Sequence, residues 1–346
     1  MKQRVTQASI AKEAGVSCAA VSMVISGNPR STIAPDTRDR ILSAAKALGY
    51  SGPITPKQTP AQTIGYILNN PNVSLTAPGA LSYEIINYLE QLGFDLVIAY
   101  REQLQASQLP DWILQRRVVG VIVQGFDEPS MLQQYLPAVS LNHDTAACVE
   151  GIDSVAPDNA AGVRKALDHL RALGHRRVAF FSMSDHPHFY ERLQGYRTWF
   201  AEMGLPIPDD FIAKDDAPAP TPAEVEAYAS RTMQRWMALP EPPTAVLSVN
   251  DWFAVQLMAA AQSLGIAVPA QLSFVGFDNS TLCGTCTPSL TSVQQPISAI
   301  SRMAVQLLLD RINGIERPQT RVRMDVELIP RASTVAPCAT PVALLV

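Results

Sequence analysis

Residues 5–27 read VTQASIAKEAGVSCAAVSMVISG, and the placement of hydroxyls and small residues in this stretch decides the first part of the fold. Thr6 stands where a side-chain oxygen caps a helix running to about Lys12, Gly15 supplies a turn, and Ser17 stands where it caps a second helix. The apolar residues Ile10, Ala11, Ala14, Val16, Val21 and Val24 fall where two steeply crossing helices bury them, and the small Ala11 and Gly15 let the backbones approach. That is helix-turn-helix spacing. A third helix is predicted from about Pro35, a residue suited to a first helical turn, with Ile41, Ala44, Ala45 and Leu48 on one face.

Charge sets this segment apart from the rest. Residues 1–57 hold eight basic against three acidic side chains, a net +5, so that the remainder of the 346-residue chain carries −9 and the total is −4. A small basic unit on a large acidic body is a distribution suited to phosphate-backbone attraction in the first part only. Residues 51–63, SGPITPKQTPAQT, contain three prolines and no apolar periodicity, and read as a linker. Beyond them apolar runs such as TIGYIL (63–68), VVGVIVQG (118–125), RVAFFS (177–182) and LSFVGF (272–277) alternate with amphipathic helical patterns, among them one near 109–115. Such alternation predicts parallel sheets covered on both faces, and its length predicts two doubly wound lobes.

The chain contains IAKEAGVSCAAVSMVISG (10–27), TRDRILSAAKALGY (37–50), RRVVGVIV (116–123), DNAAGVRKALDHLRALGHRRVAF (158–180), RLQGY (192–196), PTAVLSVNDWFA (243–254), GIAVPAQLSFVGFDN (265–279), PSLTSVQQP (288–296) and RAST (331–334). In that order and at those intervals they resemble the landmarks of the lactose/galactose repressor (LacI/GalR) family. The resemblance implies a small all-α helix-turn-helix headpiece joined to an α/β two-lobed, periplasmic-binding-protein-like module. Its expected boundaries are 1–57 for the headpiece, 58–63 for the hinge, 64–335 for the effector-binding and dimerisation domain, and 336–346 for a tail. It further implies a transcriptional regulator, a repressor, that binds a palindromic double-stranded DNA operator as a homodimer and responds to a small molecule between the lobes.

By the same resemblance, the helix lying in the major groove presents Cys18, Ala19 and Met23 to the bases with Ser17 and Ser22 near phosphates, Thr6 beside them, and Arg4, Arg30 and Arg38 on the phosphate backbone. The side chains at 18, 19 and 23 are short or apolar, which favours contact with thymine methyl groups over bidentate pairing. Asn69, Asn70, His186, His188, Arg192, Asn250, Trp252 and Asp278 are the expected effector contacts, and the neutral-to-acidic set favours an uncharged sugar. The linker departs from the family, because it offers Pro53, Pro56 and Pro60 and no leucine to wedge into the minor groove.

No phosphate loop, nucleophile elbow or metalloprotease helix occurs, so no enzyme is expected, and no cofactor or metal. CGTC (283–286) is half of a tetrahedral zinc shell. Five cysteines form too sparse a set for a disulfide framework. No run of about 20 apolar residues and no signal-like start occur, so the expected location is the cytoplasm, away from membranes. After RAST the remaining VAPCATPVALLV has two prolines and no heptads, which predicts a dimer and not a tetramer. The competing readings are a solute-binding protein without DNA function and a regulator that senses a nucleoside or purine. The charge split yields a direct expectation: the intact protein should lose duplex-DNA affinity by about a hundredfold or more between roughly 50 and 200 mM salt. A binding titration showing equal affinity at both salt concentrations would remove the phosphate-attraction argument.

Overall fold

The computed structural model describes residues 6–25, 33–48, 50, 63–68, 77–100, 113, 117–124, 132, 135–141, 151–183, 187–215 and 221–337. Arg4, Arg30, Asn69, Asn70, His186 and most of the linker lie outside them, as does the 109–115 helix apart from Ile113. The chain divides into two compact units, residues 1–62 and 63–346.

In the first unit, helix α1 (Gln7–Ala14) opens with a capping box: the Ser9 N–H donates to Thr6 Oγ1 (3.3 Å) and the Thr6 N–H donates to Ser9 Oγ (3.4 Å). Gly15 ends it in the left-handed region at φ 64°, where a Cβ would be strained and where the chain reverses into the turn. Helix α2 (Cys18–Ile25) starts with Ser17 Oγ accepting from the Ala20 N–H at 3.1 Å, and the two helix axes differ by 110°. Helix α3 (Pro35–Ala47) closes the unit over a core of Ile10, Ala11, Ala14, Val21, Val24, Ile25, Ile41, Ala44 and Ala45. Arg40 Nη2 donates to the Ala14 carbonyl at 2.5 Å, satisfying an orphan acceptor at the end of α1.

The second unit holds two six-stranded sheets. Lobe 1 contains β1 (Thr63–Leu68), β2 (Asp95–Tyr100), β3 (Gly120–Gln124), β4 (Ala138–Leu141), β5 (Asp153–Pro157) and β11 (Arg321–Met324), ordered β11-β5-β4-β3-β1-β2 and wholly parallel. Helix α4 (Ala77–Gln91) and helix α10 (Ile297–Ile312) cover it, α10 lying over β3, β4 and β5. Lobe 2 contains β6 (Val178–Met183), β7 (Ile212–Asp215), β8 (Ala245–Ser248), β9 (Ser273–Asp278), β10 (Thr291–Gln294) and β12 (Glu327–Ile329), ordered β12-β10-β9-β8-β6-β7, with only β12 antiparallel. Its helices are α5 (Asn159–Ala172), α6 (Pro187–Glu202), α7 (Pro222–Met237), α8 (Asp251–Ser263) and the short α9 (Leu282–Thr285). The chain therefore crosses between lobes three times, after β5, after β10 and after β11. Sequence reading found the strands with long apolar runs and missed β5, β7, β10, β11 and β12, which are three to five residues long.

Lobe 1 is pinned by one buried carboxylate. Asp153 opens β5 with its side chain fully buried and accepts from Arg311 Nε (2.9 Å), Arg317 Nη2 (2.8 Å), Arg317 Nη1 (3.0 Å) and the Thr320 N–H (2.7 Å). These bonds join the end of α10 and the entry to β11 to β5, the strand that β11 pairs with. Burial alone would raise the Asp153 pKa, but the hydrogen bonds from Arg311, Arg317 and Thr320 outweigh it and hold the group below its usual range. Because the folded pKa is depressed, this stability is present above the unfolded value and is lost as pH falls through the folded one. Asp153→Ala should cost about 2–4 kcal/mol, read from urea midpoints at neutral pH, since two arginines lose a shared acceptor. The variant should also lose part of the acid-induced decline below roughly pH 4.

Candidate ligand cleft and nucleic-acid interface

A cavity of about 680 Å³ lies between the lobes at the carboxyl ends of the strands of lobe 2. Gly79, Ala80 and Tyr83 of α4 line it from lobe 1, the turn Asp278–Thr281 lines it from lobe 2, and the second crossing, Gln294–Ala299, forms its back. Asp278 and Asn279 both have positive φ, 116° and 51°, a conformation that costs of order 1–3 kcal/mol for each residue and needs external support.

That support is a hydrogen-bonded frame. The Ser280 N–H donates to Asp251 Oδ2 (2.7 Å), Ser292 Oγ donates to Asp251 Oδ1 (2.5 Å), and the Asn279 N–H donates to Ser292 Oγ (3.0 Å). Asn279 is also held by its side chain, which donates to Gln294 Oε1 (2.9 Å) and accepts from Arg331 Nη2 (2.5 Å). Gly276 is required beneath the frame, because a Cβ there would stand 2.3 Å from Asp251 Oδ1. Cys283 is fully buried and hydrogen-bonded to Asp251; burial, with that carboxylate, pushes its thiol pKa well up. No group of three His, Cys, Asp or Glu placed to hold a metal occurs among the described residues.

The frame aims Asp278 at two buried partners. Asp278 Oδ1 accepts from Gln295 Nε2 at 2.6 Å and from Arg192 Nη1 at 3.4 Å. Arg192, on α6, has a side chain 2% exposed; its Nε donates to Asn159 Oδ1 (2.8 Å), its Nη1 to the Val249 carbonyl (2.5 Å), and it stacks 3.5 Å above the Phe277 ring. Burial raises the Asp278 pKa to about 7, the neighbouring Arg192 lowering it and the charge of Asp251 adding to the rise. Burial depresses the Arg192 pKa.

The structure thus unites Arg192 and Asp278, which are 86 positions apart. Among the expected contacts that are described, Asp278 lines the cavity. Asn250 is buried and caps α8, accepting from the Phe253 N–H at 2.8 Å, while Trp252 lies against Phe253 at 5.2 Å. His188 packs edge-on to Phe189 at 4.3 Å. Sequence reasoning missed Asp251, Asn159, Gln295 and Tyr83. Two of them had a signal: Asp251 follows Asn250 in PTAVLSVNDWFA, and Gln295 precedes the last proline of PSLTSVQQP.

On the first unit, Ser17, Cys18, Ala19, Ser22 and Met23 are all exposed on one side of α2, while Val21, Val24 and Ile25 are buried on the other. Thr6 is exposed and occupied as a cap, and Arg38 is exposed on α3. Among the described residues no single helix is long and apolar enough to cross a membrane.

Residues 6–52 match the family described as bacterial regulatory proteins, lacI family, and residues 167–334 match a periplasmic binding protein-like domain. The chain is 32% identical over 344 residues to the HTH-type transcriptional repressor CytR of Escherichia coli K12, covering 95% of this chain and 96% of that one. It belongs to the LacI family. The LacI-family assignment makes it a DNA-binding transcriptional regulator with an effector-binding domain, and not an enzyme. A solved CelR–cellobiose complex shares 26% identity at a TM-score of 0.69, covering 96% of this chain and all of that one. The Lac repressor dimer bound to operator and the anti-inducer ONPF shares the fold at a TM-score of 0.77 and 22% identity, with the same coverage.

The electrostatics of the cleft have a measurable sign. Asp278 is protonated in the folded protein at pH values where the unfolded chain, with an ordinary pKa of 3.8, has ionised. The folded state therefore holds the extra proton, and the stability that this group contributes falls as pH rises from about 4 towards 7. Asp278→Asn keeps a neutral side chain at every pH, so its urea midpoint should decline less between pH 5 and 7 than that of the parent. Equal slopes for the two proteins would show that Asp278 does not carry the proton.

Proposed function

We propose that this regulator is a cytoplasmic repressor whose operator affinity is set by a neutral sugar bound between the lobes. The observation that carries the reading is the cavity itself, closed at the back by a lobe crossing and furnished with Asp278, Gln294, Gln295, Asn279, Ser280 and Ser298. A carboxylate, amides and hydroxyls at one wall match the donors and acceptors of vicinal hydroxyl groups. Among the described residues no lysine or arginine lines the cavity, which disfavours a phosphorylated ligand. The similar CelR–cellobiose complex adds weight to a sugar.

In this reading Asp278 grips ligand hydroxyls, Arg192 fixes the carboxylate from behind, and Asn250, His188 and Trp252 border the site. Asn69, Asn70 and His186 are proposed to complete it. Residues 1–57 act as the headpiece, 58–63 as a hinge without a leucine wedge, and 64–335 as the effector and dimerisation domain. Cys18, Ala19 and Met23 meet base edges, and Ser17, Ser22, Thr6, Arg4, Arg30 and Arg38 meet the backbone. A two-fold dimer on a palindromic operator is part of this reading, supported by the small size of the reading helix, whose eight residues reach one half-site.

The test is a thermal-shift and DNA-binding screen of the purified protein against neutral sugars, cellobiose included, beside sugar phosphates and nucleosides. A neutral sugar should raise the melting temperature and change operator affinity, and Asp278→Ala should abolish both effects while operator binding without ligand is retained. A response to nucleosides alone, or an undiminished response in Asp278→Ala, would overturn the sugar-cleft reading.

A further inference from the structure

The solvent-facing side of α2 is chemically unusual for a surface that reads bases. It consists of two adjacent i, i+4 pairs, Cys18 with Ser22 and Ala19 with Met23, and Met23 is 38% exposed. The whole helix, CAAVSMVI, contains no charged residue and no amide. Among the described residues the basic side chains of the unit lie on its other helices: Lys12 on α1 and Arg38 and Lys46 on α3 are exposed, while Arg40 is engaged with the Ala14 carbonyl. Attraction to phosphates and the reading of bases are thereby assigned to different helices.

In the major groove the bidentate pairs that identify guanine or adenine need Arg, Lys, Asn or Gln. This face offers none. What it presents is a methyl group, a thioether, a thiol and a hydroxyl. Of the features on a base edge, the C5 position of a pyrimidine is the one that such a surface distinguishes, because an alkyl or sulfur group packs against a C5 methyl and finds a gap where that methyl is missing. The soft, flexible Met23 side chain suits such a contact.

We propose that α2 reads the C5 methyl group itself and not the base pair that bears it, so that this regulator accepts thymine and 5-methylcytosine alike and discriminates against bases lacking the methyl. Its operator affinity then depends on cytosine C5 methylation of the DNA. This rests on the reading of α2 as the helix that enters the major groove.

The experiment begins by selecting duplexes from a randomised pool with the intact protein. A parallel selection with Ala19→Gln, an exposed position that tolerates the longer side chain, marks the bases beneath α2 as those whose preference changes. At each thymine so marked, four duplexes are compared: T·A, U·A, C·G and 5-methyl-C·G. The expected order follows the methyl, with T and 5-methylcytosine close together and U and C each weaker by about fourfold for every contacted methyl. Ala19→Gln, which gains an amide, should instead rank the four by base pair. Affinities of the parent that group T with U and C with 5-methylcytosine, four equal affinities, or marked positions holding no thymine would each overturn the proposal while leaving DNA binding intact. Recovery of no duplex at all would overturn the reading of α2 on which it rests.

Discussion

Two hydrogen bonds to one carboxylate shape the ligand-facing end of lobe 2. Asp251 sits in the first turn of α8, where the helix dipole favours an anion, and it takes the Ser280 N–H on one oxygen and the Ser292 hydroxyl on the other. Ser292 in turn receives the Asn279 N–H, so two successive backbone donors are fixed to one anchor and the residues before them are held at positive φ. Glycine at 276 is a consequence of that anchor, since β9 must pass within a carboxylate oxygen's reach. If the anchor were removed, relaxation of the turn would swing Asp278 away from Gln295 and Arg192.

The two strongly perturbed aspartates with arginine neighbours show opposite designs. Asp153 meets two arginines and a backbone N–H at hydrogen-bond distance, and its pKa falls. Asp278 meets one arginine at 3.4 Å whose other bonds go to Asn159 and Val249, and burial drives its pKa up. The first is a completed network that joins strands and a helix. The second leaves acceptor capacity beside an open cavity, the condition expected of a binding group.

The headpiece was legible because its determinants are local: Thr6, Gly15 and Ser17 punctuate two helices, and each acts in the structure at the position its chemistry requires. Long apolar runs likewise marked the central strands. The short strands β5, β7, β10, β11 and β12 were not legible, since a run such as RVRM at β11 alternates exposed and half-buried residues and is too short for periodicity to register. The pairing of Arg192 with Asp278 followed from family landmarks, whereas the cavity wall at Gln294 and Gln295 depends on where the chain recrosses between lobes, a long-range property that no local pattern encodes. Asn250 illustrates a residue with two readings: its side chain caps α8, which a sequence cannot separate from a ligand contact.

The threefold crossing also has a bearing on synthesis. Lobe 1 begins at Thr63, yet its covering helix α10 and its edge strand β11 lie beyond residue 296, after almost all of lobe 2. A nascent chain emerging from the ribosome can pair β1 to β5 early, but the apolar face formed by β3, β4 and β5 stays bare until Ile297–Ile312 arrives. Lobe 2, made in between, then lacks its short edge strand β12 and the 331–335 segment that hydrogen-bonds to β9 and β10. The lobe started first is thus finished late, and its half-covered sheet is the species most in need of chaperone protection while translation runs to the end.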